Sequence, residues 1–476
     1  MNTSSDSNRG QWGSKLGFIL AATGSAVGLG NIWRFPYVTG ENGGAAFVFV
    51  YLLCVFLIGL PLLLVELSLG RASKRSPVDA FKVTKPGSPF FLTGFLCLAA
   101  CFVVLTYYGV IAGWTVGYFI SQITQTPLEF GEYTANPVAV LPVFALFIVA
   151  TIYIVSAGVE KGIEKWSKML MPLLFFLIFV IIIRSLTLEG ASKGLSYYLN
   201  PDFSKIDGKV VLMALGQAFF SLSVGWGLMI TYGSYIPKTQ NIVTSGFWVA
   251  IADTGVAILG GLMVFPAVFA FDMVPDAGPG LTFVTLPAVF AQMPAGWVIG
   301  ALFFMLLSVA ALTSSISMLE VPVSYFVDKD KGARKTSAIL VGVFAFVVGI
   351  PSALSSGSSE YLTNMELFGA TGFQGIMDQV FGTLCLIVIS LLLSLYVGWV
   401  WKPKNAIKEI EQGCPWFTKP FVGPVSLASV WTVFVKFICP IVITLVLLNT
   451  LGVDLFGDAA TPAATPEVTP EVAKPE

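Results

Sequence analysis

The sequence predicts an all-α membrane protein of many spans, and three observations carry that prediction. Of its 476 residues, 56% are hydrophobic and only 11% charged, where an ordinary soluble domain carries about 25% charged residues. Apolar runs of the ~20 residues needed to cross a bilayer recur along most of the chain. Two of those runs, "GSAVGLGNIWRFPY" at 24–37 and "GQAFFSLSVGWGLMITYGSY" at 216–235, are interrupted near their midpoints by glycine and polar residues.

Taken in order, the candidate spans are 13–38, 44–70, 90–124, 137–157, 166–188, 209–235, 242–272, 295–326, 336–354, 374–401 and 425–451, eleven in all. Lysine and arginine set their orientation. Arg71, Lys74, Arg75, Lys82 and Lys85 follow span two, and Lys161, Lys165 and Lys168 lie between spans four and five. Lys238 precedes span seven, Lys329, Lys331, Arg334 and Lys335 precede span nine, and Lys402, Lys404, Lys408 and Lys419 follow span ten. Loops of the other parity are nearly free of them, apart from Arg184, Lys193, Lys205 and Lys209. The expected topology is an N-terminal segment, 1–12, in the cytoplasm, a first five-helix unit at 13–188, a second at 209–401, and an eleventh span at 425–451. An odd number of spans sends the C-terminus outside. No cleavable signal is visible before the first span, which serves as its own signal for the cell's inner (plasma) membrane. The tail at 457–476 repeats Thr-Pro-Glu and has too little apolar surface to fold. The external stretch 273–294, "MVPDAGPGLTFVTLPAVFAQMP", is too apolar for a free loop and too broken to cross, so it reads as a re-entrant cap.

Composition also excludes functions. A net charge of −1 argues against nucleic acid as a partner. The chain has no histidine, which removes the commonest general base and zinc ligand. There is no Walker-type loop, so a membrane enzyme has little support. Five of the six cysteines, Cys54, Cys97, Cys101, Cys385 and Cys439, lie in apolar runs, and Cys414 lies in a basic loop; none forms a Cys-x-x-Cys pair.

The two interruptions need a reason, because unpaired backbone groups in hydrocarbon are costly. Non-helical backbone at that depth is tolerated only when buried in protein or lining a watery cavity. Gly24 and Gly28 alone have the spacing of a helix-packing motif, but packing does not call for Asn31, Arg34 and Pro36 beside them. Paired breaks in corresponding halves point to a transporter built from inverted repeats. Freed carbonyls at such breaks suit a cation and freed amides an anion. Span eight carries a third polar cluster, "AALTSSISM" at 310–318. Thr313, Ser314 and Ser315 spread across its face, and hydroxyls with few carboxylates suit a hard monovalent cation.

With "ENGGAAF" at 41–47, "GQAFFSLS" at 216–223 and "LTSS" at 312–315 added to the first motif, the chain resembles the neurotransmitter:sodium symporter family, bacterial amino-acid transporter branch. The resemblance runs from about Arg9 to the eleventh span. It implies an inverted five-plus-five helix repeat with spans one and six broken, and sodium-driven uptake of a neutral, hydrophobic amino acid by alternating access.

By position, the resemblance implies one sodium site from the Ala26 carbonyl, Asn31, Ser221, Asp253 and the substrate carboxylate. It implies a second from carbonyls of Gly24, Val27 and Ala310 with the hydroxyls of Thr313 and Ser314. Chloride is not expected, because Asp253 supplies an acid where chloride-requiring members lack one. The substrate would meet Ser25, Ala26, Val104, Tyr108, Phe220, Ser221, Ser223, Trp226, Ser314 and Met318. Trp226 stands where Phe or Met is usual, which leaves open whether the side chain is aromatic, branched or small. Arg34 with Asp378 resembles an outer gate and Arg9 with Asp328 an inner one; Trp12, Tyr235 and Glu66 support the inner gate and broken span six. Members that carry decarboxylated amines place an aspartate in the first break, and this chain has none there. A betaine or amine carrier, and an amino-acid receptor without turnover on the same scaffold, are the alternatives.

Overall fold

The computed structural model describes residues 10–271, 273, 280–453 and 455. Arg9, the 274–279 part of the expected cap, and the tail at 457–476 lie outside the described residues.

Among the described residues, nine helices are long and apolar enough to cross a membrane: Ala45–Ser73, Phe91–Thr124, Pro137–Ser156, Val159–Leu186, Ile242–Ala270, Gly296–Lys329, Arg334–Leu354, Phe373–Val400 and Leu427–Thr450. Lys15–Ala26 and Gly30–Glu41 make a tenth crossing bent by 55°. The sixth apolar run consists of two short helices, Gly208–Ser221 and Leu228–Gly233. Neither half is long enough to cross alone, so a count of eleven rests on joining them. Below, spans keep their order along the chain, with these two halves as span six.

Helix starts are set by side chains that take up orphan amides. Ser14 accepts from the Gly17 amide, Asn136 from Val138, Asp207 from Val210 and Asn241 from Thr244. Burial then ranks the spans. The most apolar windows of span three (Phe91–Thr124) and span eight (Gly296–Lys329) are 67% and 61% buried, against 28% for span eleven (Leu427–Thr450). Spans three and eight therefore form the centre, lying against each other along much of their length, and span eleven lies at the rim.

Close backbone approach fixes two further contacts. A Cβ on Gly70 would lie 2.0 Å from the Ile230 carbonyl oxygen, and one on Gly233 would lie 2.9 Å from that of Leu67. Span two and the second half of span six thus touch backbone to backbone. A Cβ on Gly260 would come within 2.6 Å of the Asn31 carbonyl, which seats span seven against the first break.

The connections hold structure that hydropathy does not reveal: helices Pro77–Thr84, Ala191–Leu199 and Pro403–Glu411, and two short antiparallel hairpins at 366–371 and 420–426. Arg71, fully buried at the end of span two, donates to Glu409 Oε1 at 2.8 Å and to the Gln240 carbonyl at 2.6 Å, and also to the Glu409 carbonyl. One guanidinium thereby joins span two to two loops. In the cap region, Leu281–Ala291 is helical, and Phe283 packs among Trp114, Tyr118, Phe130 and Phe304. All six cysteines are free; Cys414 is buried, and that burial pushes its thiol pKa up, which suppresses the reactive thiolate.

Candidate functional site

The site grows out of the two places where helices stop. In span one the first half-helix ends at Ala26, and Val27 turns extended with φ −70° and ψ 111°. The next half begins at Gly30. The amides exposed by the break find acceptors close by: Gly28 donates to Asn31 Oδ1 at 3.0 Å and Leu29 to the Tyr108 hydroxyl at 3.2 Å. Only glycine fits at position 28, since a Cβ would sit 2.7 Å from Ser314 Oγ and 2.9 Å from the Tyr108 hydroxyl oxygen.

In span six the break runs over 222–227 and needs left-handed backbone at Ser223 (φ 52°), Gly225 (φ 103°) and Gly227 (φ 72°). Glu66 of span two, fully buried, accepts from the amides of Gly225 at 2.7 Å, Met229 at 3.1 Å and Ile230 at 3.3 Å. A carboxylate at the start of a half-helix takes up orphan donors and meets the positive end of the dipole. The two breaks are tied together by Ser223, whose hydroxyl donates to the Ser25 carbonyl at 3.3 Å.

Two clusters of oxygen lie against these breaks. In the first, the Asn31 amide nitrogen donates to Ser221 Oγ at 3.1 Å, to the Asp253 carbonyl at 3.1 Å and to Asp253 Oδ1 at 2.8 Å. Ser221 Oγ donates to Asp253 Oδ2 at 2.7 Å and accepts from the Tyr51 hydroxyl at 3.1 Å. Spans one, two, six and seven meet here. The sequence reading missed Tyr51, which sits in an unbroken apolar run with no signal of its own. Ala26 is buried at the end of the first half-helix.

In the second cluster, Ser314 Oγ lies 3.4 Å from the Gly24 carbonyl oxygen, 3.1 Å from that of Val27 and 3.3 Å from that of Ala310. Thr313 Oγ1 reaches the Ala310 carbonyl at 2.9 Å. A serine has one proton to offer, so three carbonyls compete for it. Such a set of hard oxygens is the donor chemistry that suits an alkali ion.

The residues expected around a substrate side chain are mostly enclosed. Val104, Met318 and Trp226 are buried, and Phe220 is half-buried with the Arg34 guanidinium 4.6 Å from its ring centre. Phe220 and Trp226 meet edge to face with centroids 5.8 Å apart. Ser25 points elsewhere: its hydroxyl donates to Ser317 Oγ at 2.7 Å, so its carbonyl is the atom it turns toward Ser223.

Residues 9–136 and 138–454 match the family model described as the Sodium:neurotransmitter symporter family. The chain belongs to that family. It is 39% identical over 455 residues to the sodium-dependent transporter YhdH of Bacillus subtilis (strain 168), covering 94% of this chain and 98% of that one. It is 34% identical over 469 residues to a sodium-dependent transporter of Haemophilus influenzae, covering 94% and 100%. Among solved structures it is similar to MhsT in complex with L-phenylalanine, with 44% identity, a TM-score of 0.83, and coverage of 93% of this chain and 100% of that one. This symporter is thus a multi-pass membrane protein of the sodium-dependent transporter type.

The two faces of the symporter differ. On the face that carries the N-terminus, Trp12 Nε1 donates to the Tyr232 carbonyl at 3.0 Å, and its ring packs edge-on against Tyr232 and Tyr235. The Tyr235 hydroxyl donates to Glu320 Oε1 at 2.5 Å, and Arg334 holds both Glu320 oxygens at 2.9 Å. Asp328 accepts from the Ser76 amide at 2.6 Å and lies 4.0 Å from Arg75; its expected partner Arg9 is outside the described residues. Glu320 and Arg334 were missed, although a carboxylate within an apolar span is itself a signal.

On the opposite face the expected Arg34–Asp378 ion pair is not made. Asp378 Oδ1 accepts from the Tyr107 hydroxyl at 2.8 Å, and Arg34 lies over Phe220. The physical reason is access to water: Asp378 is exposed and Arg34 only half-buried, so neither charge needs the other for solvation.

Proposed function

We propose that this symporter carries a neutral, hydrophobic amino acid into the cell with two sodium ions, by alternating access on an inverted five-plus-five repeat. The observation that supports it best is that Asn31, Ser221 and Asp253 meet beside the two breaks while Ser314 gathers the Gly24 and Val27 carbonyls of the first. In this reading one ion is held by the Ala26 carbonyl, Asn31, Ser221, Asp253 and the substrate carboxylate. The other is held by Gly24, Val27 and Ala310 carbonyls with Thr313 and Ser314. The Asn31 amide must turn over to offer its oxygen, giving up the bond it now accepts from Gly28.

The substrate carboxylate is taken up by amides of the first break and by Tyr108, and the ammonium by carbonyls of the second. Sodium neutralises and orders these oxygens, so the amino acid binds better with it present, and the coupling is reciprocal. The N-terminal face is cytoplasmic, so the Trp12–Tyr235–Glu320 constellation is the inner gate. Chloride is not required, because the Asp253 carboxylate already supplies negative charge beside the first ion.

Uptake of labelled amino acids into proteoliposomes tests this. Uptake is expected to vanish when potassium or choline replaces sodium and to be unchanged when gluconate replaces chloride. Uptake that persists on a proton gradient alone overturns the cation. Competition by betaines and amines, with none by amino acids, overturns the substrate class, and binding without counterflow identifies a receptor.

A further inference from the structure

We propose that Cys97 and Cys101 form a two-thiol site beside the second break, open to a soft Lewis acid that bridges two sulfurs, of the trivalent arsenical class, when the second half of span six moves. The opening step rests on the alternating-access reading above; the pairing of the two thiols does not.

Cys97, Cys101, Val104 and Tyr108 follow one another along span three at spacings of four, three and four, which puts them on one helix face. The C-terminal end of that stripe meets the first break, where Tyr108 accepts from the Leu29 amide. The N-terminal end meets the second. The Cys101 thiol donates to the Trp226 carbonyl at 3.3 Å. A Cβ on Gly227 would lie 3.0 Å from Cys97 Cβ and 3.2 Å from Cys97 Sγ. Both sulfurs therefore lie against one peptide unit, Trp226–Gly227, and both side chains are sealed from solvent.

The cover over the thiols and the wall beside them are held differently. Gly227 has a left-handed φ of 72°, which glycine adopts freely, and it leads straight into the half-helix Leu228–Gly233. The wall is fixed to span three: a Cβ on Gly94 would lie 2.5 Å from Val78 Cα and 2.7 Å from the Pro77 carbonyl oxygen, so the helix Pro77–Thr84 rests directly on that span. Displacement of residues 226–233 uncovers both sulfurs at once and leaves them on an unbroken helix.

Spacing selects the ligand. Residues four apart on a helix hold their Cβ atoms about 5–6 Å apart, too far for a disulfide, which needs about 3.8 Å. A bridging atom with bonds to sulfur of about 2.3 Å spans the gap. Zinc takes four ligands, and among the described residues no three His, Cys, Asp or Glu gather to hold a metal. An arsine oxide needs two thiols only. Its oxygen leaves as water with both thiol protons, two arsenic–sulfur bonds replace the arsenic–oxygen double bond, and nothing is oxidised or reduced.

The probe is phenylarsine oxide on the purified full-length chain, read by intact mass after washing in excess monothiol, in KCl and in NaCl. The same measurement is made on Cys97→Ser, Cys101→Ser and Cys54→Ser, each first shown to melt cooperatively. In KCl, wild type and Cys54→Ser are expected to gain one phenylarsenic group, which the dithiol dimercaptopropanol removes. Serine at either position of the site is expected to cut that adduct at least tenfold, and NaCl to slow its formation on wild type at least fivefold. Absence of a monothiol-resistant adduct on wild type in KCl, or its undiminished presence in either Cys97→Ser or Cys101→Ser, overturns the inference. An adduct that needs both cysteines but forms equally fast in the two salts keeps the thiol pair and overturns the alternating-access step.

Discussion

The two proposed gate regions use the same kinds of residue and hold them differently. At the N-terminal face Glu320, Arg334 and Tyr235 are bonded around a fully buried carboxylate, and the Trp12 amide donates to the Tyr235 carbonyl at 3.3 Å. At the opposite face Arg34 and Asp378 each have a partner, an aromatic ring and a phenol, but not each other. A buried carboxylate must be paired, because the cost of leaving it alone in low dielectric is several kcal/mol. An exposed one keeps its water and gains little from pairing. As proposed gates, the first is thus a lock whose opening exposes a charge, and the second is a latch whose two halves are separately at rest. In the proposed orientation, this arrangement keeps the cytoplasmic side shut while substrate and sodium enter from outside.

Substitutions can break that contrast, with effects that should fall from the lock to the latch. Glu320→Ala leaves the Arg334 guanidinium, which is only 18% exposed, without its partner, and should cost about 3–5 kcal/mol. Thermal melting would report the loss, and faster labelling of a cysteine introduced beside Tyr235 would report the opened face. Glu66→Ala removes the acceptor of three amides at the second break, at about 1–3 kcal/mol for each buried donor left unpaired, partly recovered by local rearrangement. Sodium-dependent stabilisation should disappear with it. Trp12→Phe keeps the ring packing and loses one bond to Tyr232, about 1 kcal/mol, and should raise the rate of opening more than it lowers the melting temperature. Tyr107→Phe removes the hydroxyl that holds Asp378; stability should change by less than about 1 kcal/mol. Its effect should appear in transport rate instead. If Tyr107→Phe destabilises the protein as much as Glu320→Ala, the contrast between lock and latch is wrong.

The sequence made the spans legible because hydropathy integrates over about 20 residues, and the expected bounds of continuous spans fall within a few residues of the helices. Span five, for which 166–188 was expected, begins earlier, at Val159, through a π-helical start at Val159–Glu164 that has no hydropathy signature. The first break was legible for a different reason: Gly28, Gly30 and Asn31 are poor choices for lipid-exposed helix. By contrast, the helices Pro77–Thr84 and Pro403–Glu411 are short and polar, so a search for apolar runs passes over them. Tyr51 was invisible, since nothing in "FVFVYLL" separates a tyrosine that hydrogen-bonds Ser221 from one that only packs. Glu320 was visible but unused, and Arg334 was read only as a loop charge. Their pairing depends on how spans eight and nine cross, which no one-dimensional pattern encodes. The missing Arg34–Asp378 contact shows the converse: a family position fixes which residues face one another, while solvent access decides whether they touch.

The backbone contact at Gly70 and Gly233 has a mechanical consequence. Two rods that touch backbone to backbone at Gly70 and Gly233, and with Glu66 riveting one to the other, cannot slide independently. Span two and the segment 228–233 must travel as a single lever, and whatever joint the carrier uses on that side lies in the six residues 222–227, where the coil is already undone.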